Sequence, residues 1–284
     1  MPTQGERADR RSTRSAARRR RGGFRPVRWV PLILAVFLLA ACEARFERQD
    51  AEVAAVSICQ PLMFEDTPFT HCIAEPGKQT VRTALSRPGG PPYRSLRKLS
   101  RAMGPETKVA MAMNAGMYDE DGQPIGYYVE NGERLHPLNQ ADGPGNFHLL
   151  PNGIFFGRTA GPWRVYSTRR FAAEVDKRPD FATQSGPMLV IDGELHPAFD
   201  PDGESRKIRN AVGVDAGGRA HFLLSEAPVS FGKMARLYRD VLRVDNALFL
   251  DGSVSQMWDP AKGRMDSGPQ IGPMLVVTNR KDAR

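Results

Sequence analysis

Four segments of the chain set a polar group beside glycine at the end of an apolar run. They are Met113-Asn114-Ala115-Gly116-Met117-Tyr118, Gln184-Ser185-Gly186-Pro187, Arg209-Asn210-Ala211-Val212-Gly213 and Leu248-Phe249-Leu250-Asp251-Gly252-Ser253. Glycine lets a backbone come close to a ligand, and N–H groups clustered at such points can hold an anion. Taken singly, each segment is a strand followed by a turn. Other chemistries find no support: His71, His136, His148, His196 and His221 lack zinc-ligand spacing, and there is no P-loop, dinucleotide fingerprint or G-x-S-x-G elbow. Neither a metal nor another cofactor is expected. The acidic runs Asp119-Glu120-Asp121-Gly122 and Asp200-Pro201-Asp202-Gly203 lack EF-hand spacing and read as exposed turns.

Short apolar runs separated by turn dipeptides must position these groups. Tyr127-Tyr128-Val129 precedes Asn131-Gly132, Leu189-Val190-Ile191 precedes Asp192-Gly193, and Val212-Gly213-Val214 precedes Gly217-Gly218, with His221-Phe222-Leu223-Leu224 returning. Asn152-Gly153 ahead of Ile154-Phe155-Phe156 reads the same way. These dipeptides supply the positive φ angles that match strand twist in hairpins. Helices are fewer. Phe231, Met234, Leu237, Tyr238, Val241 and Leu242 recur at helical spacing behind Ser230, a natural N-cap, and a weaker stripe of Leu96, Leu99 and Met103 marks Tyr93 to Met103. The pattern is α+β: mainly antiparallel or mixed sheet with a few packed helices, in a single domain from residue 56 to 284. Gly186-Pro187-Met188-Leu189-Val190 recurs letter for letter as Gly272-Pro273-Met274-Leu275-Val276, a turn feeding a strand each time.

The formal charge of +8 belongs to the leader. Residues 1–41 hold ten arginines against Glu6 and Asp9, and the rest of the chain balances 30 basic with 30 acidic side chains. No nucleic-acid partner is therefore expected. Thirteen uncharged residues, Trp29 to Ala41, follow the arginines. As a helix they would cover about 20 Å, short of a hydrocarbon core of about 30 Å, and they fit the apolar region of an export signal. Leu39-Ala40-Ala41-Cys42 resembles a bacterial lipobox, which would make Cys42 the acylated N-terminus of a mature lipoprotein and residues 42–55 its tether; the competing reading is an uncleaved N-terminal anchor. Either way the domain lies outside the cytoplasm, in the periplasm or on the outer face of the cell membrane. Cys59 and Cys72 remain as a pair for one disulfide in an oxidising compartment, against the alternative of two separately buried thiols.

In order and spacing, Asn114-Ala115-Gly116-Met117-Tyr118, Gly143-Pro144-Gly145-Asn146-Phe147-His148, Ser185-Gly186-Pro187-Met188-Leu189, Arg209-Asn210-Ala211-Val212-Gly213 and Leu250-Asp251-Gly252-Ser253 resemble the phosphodiester glycosidase family. That family includes the animal uncovering enzyme, which removes N-acetylglucosamine from a sugar phosphodiester, and many bacterial exported proteins. The resemblance covers roughly Cys59 to Val277. It implies a carbohydrate or glycan phosphodiester as substrate, Asp251 as the carboxylate that stabilises an oxocarbenium-like state, and Arg209 as the phosphate-gripping fork. Asn114, Gly116, Ser185, Gly186, Gly252 and Ser253 would contact sugar and phosphate; His148 would be a proton donor, a sugar contact or a structural hydrogen-bonding group. Asp215 and Asp245 rank behind Asp251 as carboxylates. Many members carry Leu-Asp-Gly-Gly-Gly-Ser where this chain has Leu250-Asp251-Gly252-Ser253-Val254-Ser255, a change at two flexible positions. The alternative is a non-catalytic envelope glycan-binding lipoprotein using Arg209 and the aromatic surfaces of Tyr118, Tyr127 and Trp258; a lipoprotein that only scaffolds envelope partners is a third reading.

Overall fold

The computed structural model describes residues 57–251 and 254–280. The leader, Cys42, the tether, Gly252 and Ser253 lie outside the described residues. The strands, in chain order, are β1 (Cys59–Phe64), β2 (Thr67–Ala74), β3 (Gln79–Ala84), β4 (Val109–Asn114), β5 (Tyr128–Glu130), β6 (Glu133–His136), β7 (Gly153–Gly157), β8 (Trp163–Ser167) and β9 (Phe181–Ser185). There follow β10 (Met188–Ile191), β11 (Glu194–Leu195), β12 (Asn210–Asp215), β13 (Ala220–Ser225), β14 (Val244–Phe249), β15 (Met257–Asp259), β16 (Arg264–Met265) and β17 (Met274–Asn279). Among the described residues the α-helices are α1 (Leu96–Met103), α2 (Thr168–Glu174) and α3 (Phe231–Arg236).

The described residues form three sheets, ordered β1-β2-β13-β12-β14-β10-β11, β16-β15-β4-β17-β3 and β6-β5-β9-β7-β8. Their ladders are antiparallel. One face of each contributes to a shared central core, to which the first sheet brings Phe222 and Leu248, the second Met111 and Met113, and the third Phe155 and Phe181. The opposite face of each sheet carries one helix. Met234 of α3 packs with Ala211, Leu223 and Phe249, Leu96 and Leu99 of α1 pack with Ala112 and Val276, and Phe171 of α2 packs with Tyr127, Ile154 and Phe156. Strand alternation produces this division: Ala211 faces α3 while Val212 faces the central core. The fold is α+β, as the sequence pattern indicates.

Local chemistry accounts for most boundaries. Asn131-Gly132 and Asp192-Gly193 turn with φ of 51°, 78°, 47° and 86°, the left-handed pair that hairpins require. Cys59 and Cys72 stand opposite each other in the β1–β2 ladder and are disulfide-bonded, so the hairpin is stapled at its base. Helix α1 begins at Leu96 rather than Tyr93, because Arg94 is left-handed (φ 60°) and the Ser95 hydroxyl caps the helix by accepting from the Lys98 N–H. Ser230 caps α3 in the same way, as its position foretells. Past Arg236, however, the chain takes a π turn, Leu237–Val241, closed by a Leu242 N–H to Leu237 carbonyl bond. That wider turn rotates Val241 out of the expected apolar stripe, leaving it 47% exposed. Asn152-Gly153 is also not a hairpin turn. Asn152 is buried, donating to the Phe147 carbonyl and accepting from the Thr168 hydroxyl, and Gly153 already lies within β7, where a Cβ would sit 2.8 Å from the Tyr166 carbonyl oxygen. Helix α2 has too short an apolar stripe, with Phe171 its one large buried residue, to be visible in the sequence.

Candidate active site

The polar segments meet where strands of different sheets end together. Asn114 closes β4, Ser185 closes β9, Asn210 opens β12, and Leu250-Asp251 follow β14, which runs antiparallel to β12. Three hydrogen bonds tie the sheets there. The Asn210 side-chain amide donates to the Asn114 carbonyl (2.9 Å), joining the first sheet to the second. The Gly116 N–H donates to the Thr183 hydroxyl (3.0 Å), joining the second to the third. The Ser185 hydroxyl donates to the Leu250 carbonyl (2.6 Å), joining the third to the first. The ring is closed within the first sheet by the Leu250 N–H on the Asn210 carbonyl.

Neighbouring contacts leave little slack. Asn114, fully buried, accepts from the Gln256 N–H (2.9 Å) and donates to the Val254 carbonyl (2.6 Å), so one amide frames the segment that follows Asp251. A Cβ at Gly116 would lie 2.2 Å from the Gln184 carbonyl oxygen, and one at Gly186 would meet Asn152 and Phe147. The repeated Gly-Pro pairs do matching work: Pro273 accepts from the Ala115 N–H (2.8 Å) and Pro187 from the Phe249 N–H (3.1 Å), each holding a strand end that leads into the site. Asn114, Ser185 and Gly116 therefore have their hydrogen-bonding groups committed inside the protein, where the family resemblance implied contacts to sugar and phosphate. These bonds hold the strand ends together at the junction.

Asp251, 7% exposed, faces Tyr118. The phenol oxygen lies between two acceptors, the Gln270 carbonyl at 2.8 Å and the Asp251 carboxylate, so one proton serves both. Burial, and then the charge of Asp251, push the phenol up to about 12, against the opposing effect of Arg94. Tyr118 thus remains a hydrogen-bond donor at neutral pH. Its ring packs on Gly272, where a Cβ would come within 2.3 Å. Arg94 lies over that ring, 5.6 Å from its centroid, with Nε donating to the Gln270 side-chain oxygen and Nη2 to the Glu120 carbonyl.

Arg209 is placed differently from the phosphate fork expected of it. Asn210, the first residue of β12, turns toward Asn114, and Arg209, just before the strand, turns toward α3, where its guanidinium stacks 3.7 Å above the Phe231 ring. It is 1% exposed, with Nε on the Val229 carbonyl and Nη2 on the Ser205 carbonyl, so the two parallel donors of a phosphate grip are not presented. Burial alone lowers it to about 10. His148 holds its own loop through Nδ1 and the Ala141 carbonyl (2.8 Å), beside Phe147, whose carbonyl oxygen abuts Gly186. Asp215 and Asp245 sit at the far ends of β12 and β14, roughly 16 Å of strand from the junction at about 3.3 Å per residue. Asp215 bonds Arg219 and His221 there. Tyr127 is buried against Phe171 and presents no surface for a glycan. The acidic runs at 119–122 and 200–203 are turns closed on Asp119 and Asp200.

Sequence reasoning missed Arg94, Asn210 and Thr183 as individual residues. Only Asn210 had a signal, as the polar residue between Arg209 and the apolar run that becomes β12.

The Uncharacterized protein YigE of Escherichia coli (strain K12) is 38% identical over 183 residues, 64% of this chain and 71% of that protein. The zebrafish N-acetylglucosamine-1-phosphodiester alpha-N-acetylglucosaminidase catalytic domain, auto-inhibited by its pro-peptide, aligns with a TM-score of 0.54. It covers 78% of this chain and 82% of that one at 16% identity, which is a likeness of fold. The family model for phosphodiester glycosidase matches residues 107–278, more than half of the chain and a stretch holding Asn114, Tyr118, Ser185, Asn210 and Asp251. The chain belongs to the phosphodiester glycosidase family.

Proposed function

We propose that the protein hydrolyses the glycosidic bond of a sugar 1-phosphodiester, of the N-acetylglucosamine-1-phosphodiester type. The observation that carries this reading is the meeting of the Asp251 carboxylate with the Tyr118 phenol at the junction of strand ends, inside the family-matched stretch. The bond between the anomeric carbon and the phosphate oxygen breaks, its electron pair leaving with the phosphomonoester. Asp251 stabilises the oxocarbenium-like centre, and water supplies hydroxyl to the sugar and a proton to the phosphate side. Tyr118 holds Asp251 in place through its hydroxyl. Arg94, beside this pair and outside residues 107–278, supplies positive charge for the phosphate in place of Arg209.

The test is hydrolysis of an N-acetylglucosamine 1-phosphodiester by the full chain, with Asp251→Asn as control. Turnover that is lost in the variant supports the assignment; equal turnover in both removes Asp251 from the chemistry. No turnover across a panel of sugar phosphodiesters, with affinity retained, favours the glycan-binding lipoprotein.

We also propose that the domain is exported and lipid-anchored at Cys42, a reading supported by the arginine-rich leader and its apolar run, and by a disulfide suited to an oxidising compartment. Cys42→Ala should abolish acylation detected by mass spectrometry and release the protein from the membrane fraction. A wild-type chain that retains its leader and carries no lipid would refute the anchor.

A further inference from the structure

The segment framed by Asn114 has a second face. Ser255 and Gln256, four and five residues beyond Asp251, form one wall of a cavity of about 450 Å³. Glu226, Arg264, Asp266 and Ser267 supply most of its remaining polar lining. The volume falls in the range of about 300–1,000 Å³ that small-molecule sites occupy.

Arg264 looks like a phosphate hand and is not one. Its Nε donates to Asp266 (3.0 Å), Nη1 to the Thr70 hydroxyl (3.1 Å) and to Glu226, and Nη2 to Asp266 (2.9 Å) and Glu226 (3.3 Å). These bonds use all five guanidinium N–H groups. Two carboxylates against one guanidinium leave the lining with a net negative charge, which repels a phosphate. What the cavity presents instead is carboxylate lone pairs, the Ser267 hydroxyl and the acceptor side of the Ser255 hydroxyl, whose proton goes to the Ile208 carbonyl (3.2 Å); the Gln256 amide is held by the Pro269 carbonyl (2.8 Å). That chemistry fits a neutral group rich in hydroxyls.

We infer that this cavity is the seat of the alcohol on the far side of the phosphodiester, and that this alcohol is a polyol such as glycerol or a second sugar. The inference rests on the glycosidase reading and names the part of the substrate that the reading leaves open. The Gln256 N–H that bonds Asn114 couples the cavity wall to the frame of the site. The Ser255 hydroxyl reaches the Asn210 side-chain oxygen (3.4 Å), so the cavity wall adjoins the junction, and on this inference a diester held at Asp251 by its sugar places its other end among these acceptors.

The experiment compares kcat/KM of the full chain for N-acetylglucosamine 1-phosphoglycerol and for its methyl analogue, in the wild type, Glu226→Gln and Ser267→Trp. The glycerol diester should be preferred, and each variant should lower the glycerol-to-methyl ratio by about tenfold through KM, the size expected when a hydrogen bond to a charged group is lost or the space is filled. Ratios that stay at the wild-type value in both variants overturn the inference, as does a wild type with no preference. A binding arm separates this inference from the hydrolase reading, using sn-glycerol 3-phosphate and methyl phosphate as probes by calorimetry. Tighter binding of the glycerol compound, lost in Ser267→Trp, upholds the cavity even when no diester is turned over. Equal binding of the two compounds refutes it.

Discussion

The side-chain amide of Asn210 donates to the main-chain carbonyl of Asn114 across 2.9 Å, and since the Asn210 carbonyl accepts from the Leu250 N–H, the strand end that carries Asp251 is fixed through Asn210 against the strand end that frames the segment after it. Both asparagines are fully buried. Each spends its side-chain amide on bonds within the protein.

Asn210→Ala should accordingly cost about 1–3 kcal/mol, since a buried donor is removed and its partners stay behind. The check is urea denaturation, in which the midpoint falls at unchanged slope. Activity measured well below the transition should drop less than in Asp251→Asn. A variant as stable as the wild type would show that the tie contributes nothing net.

Arg94 and Arg209 should separate cleanly. Arg94→Ala is expected to raise KM for a phosphodiester by about tenfold or more, the loss of one charge-assisted contact, with little change in thermal stability. Arg209→Ala should instead lower stability by roughly 3 kcal/mol, because the carbonyls of Val229 and Ser205 lose their donor and Phe231 loses the guanidinium stacked on it. Lysine should not rescue position 209, as it lacks the planar fork. Paired melting curves and KM values decide it. A raised KM with unchanged stability in Arg209→Ala would return that residue to the phosphate.

Far from the site, His71 Nε2 meets His221 Nδ1 at 3.0 Å, and His221 Nε2 meets Asp215 at 3.1 Å. Burial first, then the neighbouring His221 and Arg219, lowers His71 from 6.5 to about 4; burial also lowers His221, with Asp215 opposing. Between these values the unfolded chain binds more protons than the folded one, so stability is full above about pH 6.5 and falls as the pH drops toward 4. At about 1.4 kcal/mol per pH unit, His71 alone sets a ceiling of roughly 3 kcal/mol. His71→Gln should flatten this part of a stability–pH profile. An unchanged profile would mean that the pair does not control acid sensitivity.

The sequence was legible where chemistry is local. Asn-Gly and Asp-Gly turns, the Ser230 cap and the Cys59–Cys72 pair are each decided by residues close together in the chain, and the alternating runs delivered the α+β class. The motif order also led to the right family. It did not reveal which atoms of the motif residues are available, because that depends on partners many residues away: Asn114 on Asn210, Gly116 on Thr183, Ser185 on Leu250. A single step of register separates Arg209 from Asn210, and only the pairing of β12 with β14 decides which of them faces the junction. The π turn after Arg236 was hidden for a related reason, since apolar spacing records which residues are greasy and not how tightly the backbone is wound.

The three bonds at the junction form a cycle, so each sheet is held by two of them. Detaching any one sheet breaks two ties and uncovers its share of the central core, which makes local opening there nearly as costly as unfolding the domain. Amide exchange at Gly116 and Leu250 would therefore follow the slowest, global process. A frame of this kind takes no part in local opening, so any motion that admits a ligand would fall to the loops around it.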